Sequence, residues 1–205
     1  MIAFALFGWV GAVVAGFAAA LIHEQTPAER HTVVASWPLD TVCQPPALKP
    51  MLVLFIHPKC PCLRASIEEI ANLRKVCGVG FDLQCVFLQP DAATWHSEET
   101  ANWRDAQTLA PCQMIVDCTG EEHRRFGATT SGEVFLFSAG GELQFHGGVT
   151  IGRGHSGQSA GRLAIEAIVN NSSPRLCEAP VYGCPLESPC QAAASCGRNE
   201  AKLQR

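Results

Sequence analysis

The segment Met51–His57 (MLVLFIH) constrains the fold of this chain more than any other. It is apolar up to its final histidine and lacks the alternation of a half-exposed strand, so it predicts a β-strand covered on both faces. A helical pattern follows, with Leu63, Ile67 and Ile70 on one stripe. Gly78 ends this pattern, as glycine commonly does one residue past a helix. We therefore expect a buried strand joined by a short turn to an amphipathic helix.

The rest of the central region alternates between strand-like and helix-like patterns. The predicted elements are strands at 82–89 and 114–117, helices at 97–109 and 119–127, a hairpin of 134–137 with 142–146, and a last helix at 160–168. The predicted order is therefore β-α-β-α-β-α-β-β-α. Such alternation indicates an α/β fold with helices on both faces of the sheet, and the terminal hairpin makes that sheet mixed.

The first residues of the chain form a separate apolar segment. Residues 2–22 carry no charge, and about 20 apolar residues are enough for a helix to cross the hydrocarbon core of a membrane. Because no Lys or Arg precedes the run, it lacks the basic start of a signal peptide. We predict an N-terminal transmembrane helix, with a cleaved signal or a buried core helix as alternatives. The predicted divisions are an anchor or signal helix (1–23), a linker (24–50), an α/β domain (51–170) and a Cys-rich tail (171–205).

Charge and cysteine content narrow the function. The net charge is −4 and no Lys/Arg cluster is present, which excludes a nucleic-acid partner because such proteins need a basic face. The chain has 11 cysteines, an abundance that indicates disulfides, metal ligands or thiol chemistry. We therefore expect an extracytoplasmic, periplasmic domain tethered through residues 2–22.

The turn between strand and helix carries the predicted chemistry, at Cys60, Pro61 and Cys62. A helix N-terminus stabilises a thiolate through its free N–H groups and its dipole. Proline suits the first helical position, where its missing N–H has no intrahelical partner, so we expect Pro61 to begin the helix. Lys59 and Arg64 add positive charge nearby. A disulfide between Cys60 and Cys62 would close a small, strained ring, and strained disulfides are more often labile or catalytic than structural.

The strand, turn, cysteine pair and helix resemble the active-site unit of the thioredoxin superfamily. A second stretch, 126–137 (FGATTSGEVFLF), resembles the turn that faces the cysteines and enters the last hairpin. The resemblance implies that Cys60 attacks a substrate disulfide, that Cys62 resolves it and that no cofactor is needed. It further implies substrate contacts at the residues Pro61, Ser131 and Gly132.

This sequence departs from the thioredoxin pattern at two places. A single proline separates the cysteines where the family usually has two residues, and Gly132 stands where the family has a cis-proline. Within the superfamily, His57–Cys62 (HPKCPC) and Gly152–Gly157 (GRGHSG) look most like a small membrane-anchored group called RedB. The expected partners are thiols or disulfides of proteins or small molecules.

Copper binding is the main alternative for the same cysteines. Cys60 and Cys62 with His57 would supply soft ligands for Cu(I), and a structural, inert cysteine pair is a third possibility. His57 is more simply interpreted as a histidine at the end of a strand than as a ligand, and His155 as an ordinary loop histidine. The tail cysteines are predicted to form two disulfides, with Cys184 alternatively returning to the domain as a resolving thiol. Those cysteines are Cys177, Cys184, Cys190 and Cys196.

Overall fold

A computed structural model of the chain describes residues 2–89 and 96–187. Cys190 and Cys196 lie outside these residues. The helices are α1 (Ile2–Gln25), α2 (Leu63–Cys77), α3 (Ala101–Gln107), α4 (Glu121–Phe126) and α5 (Ala160–Val169). The strands are β1 (Met51–Ile56), β2 (Asp82–Leu88), β3 (Gln113–Asp117), β4 (Val134–Phe137), β5 (Leu143–Gly147) and β6 (Glu178–Ala179). The predicted order of elements from β1 to α5 is confirmed.

The strands form one mixed sheet in the order β3-β2-β1-β4-β5-β6. Strand β1 pairs parallel with β2 and antiparallel with β4, so it has a neighbour on each side. All of its residues are buried. Leu52, Leu54 and Ile56 face a core shared with α2 and α5. Val53 and Phe55 face a second core on the other side of the sheet, which explains why the strand is apolar at every position.

Three helices begin later than the sequence predicts, among them α4, which starts at Glu121 with Gly120 at its N-cap. Helix α2 starts at Leu63 with Cys62 at its N-cap, so Pro61 lies in the preceding turn and not at the first helical position. Helix α3 starts at Ala101 because the Thr100 side chain caps it, accepting from the Trp103 N–H at 3.3 Å. A short 3₁₀ turn, Ser97–Glu99, occupies the predicted start of α3.

Segments on both sides of the α/β region also pack against it. The Trp37 ring lies edge-on to Phe126 and Phe137, with centroids 5.3 and 5.0 Å apart, so residues before β1 cover the second core. After α5, strand β6 adds to the sheet beside β5. The first part of the predicted tail therefore extends the sheet.

Helix α1 stands apart from both cores. Leu6–Gln25 has a mean hydropathy of 1.9, and none of it is buried against the rest of the chain. Its length and composition allow it to cross a membrane, and they equally fit a signal sequence.

A buried ion pair fastens α5 and the loop before it to α2. The Glu69 carboxylate accepts from the Arg162 guanidinium at 3.0 Å and from the Gly157 N–H at 2.8 Å. The Glu69 side chain is only 2% exposed. Removing one member of a buried pair leaves the other charge without compensation, which is strongly destabilising.

We expect Glu69→Gln to lower the free energy of unfolding by about 3 kcal/mol, since the Arg162 charge would lose its buried partner. Urea denaturation of the full chain in detergent would measure the change. Glu68→Gln, on the exposed side of the same helix, is the matched control and should shift stability by less than about 0.5 kcal/mol. Equal denaturation midpoints for both variants would contradict this role of the pair.

Candidate active site

Three cysteines meet at the end of β1. The Sγ atoms of Cys60, Cys62 and Cys184 all lie within 4.8 Å of one another. Cys60 is only 1% exposed, whereas Cys62 and Cys184 are half-buried and Pro61 is exposed. The structure therefore brings together the two cysteines predicted for catalysis and the one tail cysteine named as a resolving thiol.

The turn that carries Cys60 is fixed through its backbone. The Cys60 N–H donates to the His57 carbonyl at 2.9 Å. The Asn102 side-chain amide donates to the Cys60 carbonyl at 2.9 Å. Cys60 thus has both of its backbone groups paired although it lies outside helix and sheet, as buried backbone groups require.

Ser131 and Gly132 form the predicted turn opposite the cysteines. The Ser131 hydroxyl accepts from the His57 N–H at 2.9 Å, and the Gly132 N–H donates to the Phe55 carbonyl at 2.9 Å. Proline at position 132 would lack this donor. Gly132 has φ +90°, and a Cβ there would lie 2.8 Å from the Ser66 hydroxyl. Glycine is therefore the residue that fits both the backbone conformation and the space.

Residues 183–186 reach the site as an extended segment. The Ser131 N–H donates to the Cys184 carbonyl at 2.8 Å, and the Leu186 N–H donates to the Thr129 carbonyl at 2.8 Å. Between these bonds, Thr130 faces Pro185 in an antiparallel bridge. This pairing holds the Cys184 sulfur beside Cys60 and Cys62.

Comparisons with solved structures match most of this chain at low sequence identity. No protein-family profile matches this chain, and no curated protein does. An uncharacterized conserved protein from Geobacillus kaustophilus is 16% identical with a TM-score of 0.56, covering 80% of this chain and 94% of its own. A hypothetical protein from Sinorhizobium meliloti is 18% identical with a TM-score of 0.56, covering 78% of this chain and 97% of its own. A secreted disulfide oxidoreductase from Mycobacterium tuberculosis is 11% identical with a TM-score of 0.41, covering 62% of this chain and 84% of its own.

The chain has a thioredoxin-like fold. Its mixed sheet, the order of its elements and the position of the cysteine pair after the central strand agree with that assignment. Similarity at these identities establishes the fold, so the activity of this thioredoxin-like protein has to be argued from its own residues.

The environment of the sulfurs keeps two of the three cysteines protonated. Burial is the largest cause of a raised pKa of the Cys62 thiol, and the electrostatic effect of the neighbouring Cys60 is the second. Burial, followed by a hydrogen bond to Cys60, raises the pKa of Cys184 to about 12. Both thiols are therefore protonated near neutral pH.

Arg153 is a candidate site residue that the sequence analysis missed. Its guanidinium donates to the Gly183 carbonyl and, through Nε, to the His23 carbonyl at 3.1 Å. Its positive charge lowers the pKa of both Cys62 and Cys184, against the effect of burial. Arg153 lies in the GRGHSG loop that the sequence had singled out. An arginine beside histidine in such a loop was the available signal, but only the tertiary fold brings it to the sulfurs.

The other candidate side chains take structural positions. His57 Nδ1 accepts from the Lys59 N–H at 3.2 Å, and burial, then the Lys59 charge, lowers the His57 pKa. Among the described residues, the metal-ligand grouping at this site contains Cys184 and not His57. His155 pairs with Glu24 at 3.2 Å, at the end of α1. Both histidines thus hold loops in place.

We expect Arg153→Gln to move the pH profile of Cys62 alkylation to higher pH, because loss of the positive charge raises the pKa of that thiol. At a fixed neutral pH the rate with iodoacetamide should fall about threefold to tenfold, since one pKa unit is a tenfold change in thiolate. Mass spectrometry of the alkylated peptide gives the rate. Arg153→Lys should retain most of the effect of the charge, and Lys75→Gln, exposed in the last turn of α2, should change nothing. A wild-type profile in Arg153→Gln would refute the electrostatic role.

Proposed function

We propose that this protein exchanges thiols and disulfides through Cys60 and Cys62. The observation that carries the proposal is that the two sulfurs lie within 4.8 Å of each other beside the backbone edge of Thr129–Ser131. In the reducing direction, the Cys60 thiolate attacks a substrate disulfide and forms a mixed disulfide, releasing one substrate thiolate. Cys62 then attacks the Cys60 sulfur, which releases the second substrate thiolate and leaves a Cys60–Cys62 disulfide. Oxidation of a substrate dithiol is the reverse sequence.

The single residue between the cysteines favours the dithiol form. A disulfide closed over Pro61 is strained, and strained disulfides have higher reduction potentials than relaxed ones. The oxidised pair is therefore expected to oxidise other thiols readily, and the reduced pair to reduce only strongly oxidising disulfides. No metal or organic cofactor is needed for either direction.

The proposed setting is the outer side of a membrane, with α1 as the anchor. The apolar composition of Leu6–Gln25 and the abundance of cysteines both support this setting. The end of α1 contacts the GRGHSG loop, where the Arg153 N–H donates to the Glu24 carbonyl at 3.0 Å. The active site would then lie close to the membrane surface, as we propose for a RedB-like protein.

A redox titration of the purified full chain tests the exchange reaction. Thiol alkylation and mass spectrometry in buffers of defined potential measure the fraction of oxidised Cys60. We expect one reversible two-electron transition that involves this residue. The transition should disappear in Cys60→Ser and persist in Cys118→Ser, which removes an exposed cysteine. Loss of this transition is expected because the variant lacks the attacking sulfur. If Cys60 stays a free thiol under mild oxidant in the wild-type chain, the exchange reaction is refuted.

Binding of Cu(I) is a second candidate function, supported by the same sulfur cluster. Three thiolates within this separation suit a soft cation, so Cys184 replaces His57 in the ligand set proposed from the sequence. Because burial raises the pKa of Cys62 and Cys184, these thiols would release protons when they bind the metal.

Under the copper hypothesis, the reduced full chain retains one Cu(I) through a wash with a competing chelator, as measured by atomic absorption. Cys184→Ser should then lower the affinity at least tenfold because one of three thiolates is lost. His57→Ala and Cys177→Ser are the controls and should bind like the wild type. Complete loss of copper from the wild-type chain in the wash would eliminate this function.

A further inference from the structure

The extended segment 183–186 occupies the edge on which a thioredoxin-like protein would present its substrate. Its backbone forms two hydrogen bonds with Thr129 and Ser131 and antiparallel pairing across Thr130. Adding a strand to an exposed edge is a common way to bind an extended peptide, where the backbone gives affinity and side chains give specificity. Here the chain itself supplies the peptide.

The fit of the segment is specific at the residue before the cysteine. A Cβ on Gly183 would lie 1.9 Å from the Ser131 carbonyl oxygen, a backbone atom that cannot move aside as a side chain can. The Gly183 carbonyl accepts from the Arg153 guanidinium. Glycine is therefore required at position 183, and its carbonyl is bound by the positively charged Arg153 side chain.

The segment is also held at its other end and covers the attacking sulfur. Leu186 is 2% exposed and belongs to the core that contains Phe126 and Phe135. Cys184 lies between the two fixed points, with its Sγ within 4.8 Å of the Cys60 Sγ. With this segment seated, Cys60 is 1% exposed, so an external substrate can reach it only after the segment has moved.

We propose that residues 183–186 are a tethered substrate analogue that closes the active site, and that the natural substrates present the same pattern: an extended Gly-Cys-x-apolar peptide. This proposal rests on the thiol–disulfide function argued above and names its substrate class and its regulation. A substrate peptide competes with the tethered segment for the edge at Thr129–Ser131. Its cysteine sulfur then takes the place of the Cys184 sulfur beside Cys60.

The same geometry gives the oxidised protein a second disulfide. The Cys184 thiolate attacks the Cys60 sulfur of a Cys60–Cys62 disulfide, so that a Cys60–Cys184 bond forms and the Cys60–Cys62 bond breaks. The electron pair leaves on the Cys62 sulfur, which takes up the proton given up by Cys184. The step is an isomerisation with no net oxidation, and it replaces a strained ring by a bond between separate segments.

Accessibility of Cys60 tests the closed state without requiring any redox activity. Gly183→Ala should unseat the segment and increase the rate of Cys60 alkylation in the reduced full chain at least tenfold. Leu186→Asp, which removes the apolar anchor, is a second release variant and should act in the same direction. Gly140→Ala is the control, because its Cβ would meet only the Ser138 hydroxyl at 3.6 Å. Unchanged Cys60 alkylation in both release variants would overturn the proposal.

Peptide specificity and disulfide mapping test the substrate class. Two synthetic peptides contain Gly-Cys-Pro-Leu or Ala-Cys-Pro-Leu, and each carries thionitrobenzoate in a disulfide on its cysteine. The full chain bearing Cys62→Ser and Cys184→Ser is mixed with each peptide, and the rate of thionitrobenzoate release is measured. The glycine peptide should react at least tenfold faster, and equal rates would refute the specificity.

Mild oxidation of the wild type should yield a Cys60–Cys184 peptide pair that Cys177→Ser retains. Exclusive Cys60–Cys62 pairing would refute the isomerisation while leaving the exchange function intact.

Discussion

The complete burial of β1 is the constraint on which the rest of the structure depends. A strand paired on both edges and covered on both faces has every backbone group satisfied until it ends, and there new partners are needed. The His57 backbone N–H donates to the Ser131 hydroxyl, and the His57 carbonyl accepts from the Cys60 N–H. The groups that complete this strand end are therefore the groups that bring the cysteine turn and the Ser131–Gly132 turn together. The stability of the strand and the geometry of the site have one cause.

The site is assembled from segments far apart in the sequence, and polar contacts hold those segments. Glu69 ties the loop ending at Gly157 to α2, and the same loop carries Arg153 to the sulfurs and to the carbonyl of Gly183. The loop therefore connects the end of α1, the cysteine pair and the tail segment. Because the tail is tethered, it competes with any free peptide at a high effective concentration. Only a peptide that fits the edge well, or one presented at the membrane beside α1, displaces it.

Periodicity was sufficient to predict an α/β fold with a mixed sheet, because β1, α2 and the β4–β5 hairpin each show a pattern set by burial on known faces. It also placed Cys60 and Cys62 at the end of the central strand. The thioredoxin-like arrangement was predicted from the resemblance of the cysteine turn and of residues 126–137. The start of α2 was predicted two residues early, since sequence alone did not show that the Cys60 turn is fixed by Asn102 from a distant helix. Arg153 was missed for a related reason. Its role exists only through contacts with His23 and Gly183, residues that no local pattern connects with it.

Access to the site and the reactivity of its thiols are controlled by one structural change. Burial is the largest cause of the raised pKa of Cys62 and of Cys184, and the segment that contains Cys184 lies beside Cys62. When the segment leaves, Cys62 becomes more solvated, and the thiolate form becomes less costly. Arg153 loses the Gly183 carbonyl as a partner at the same time and keeps its positive charge, which lowers the pKa of Cys62. Displacement by a substrate therefore exposes Cys60 and, at the same time, lowers the cost of forming the Cys62 thiolate, whereas in the closed protein Cys60 is covered and the pKa of Cys62 stays raised.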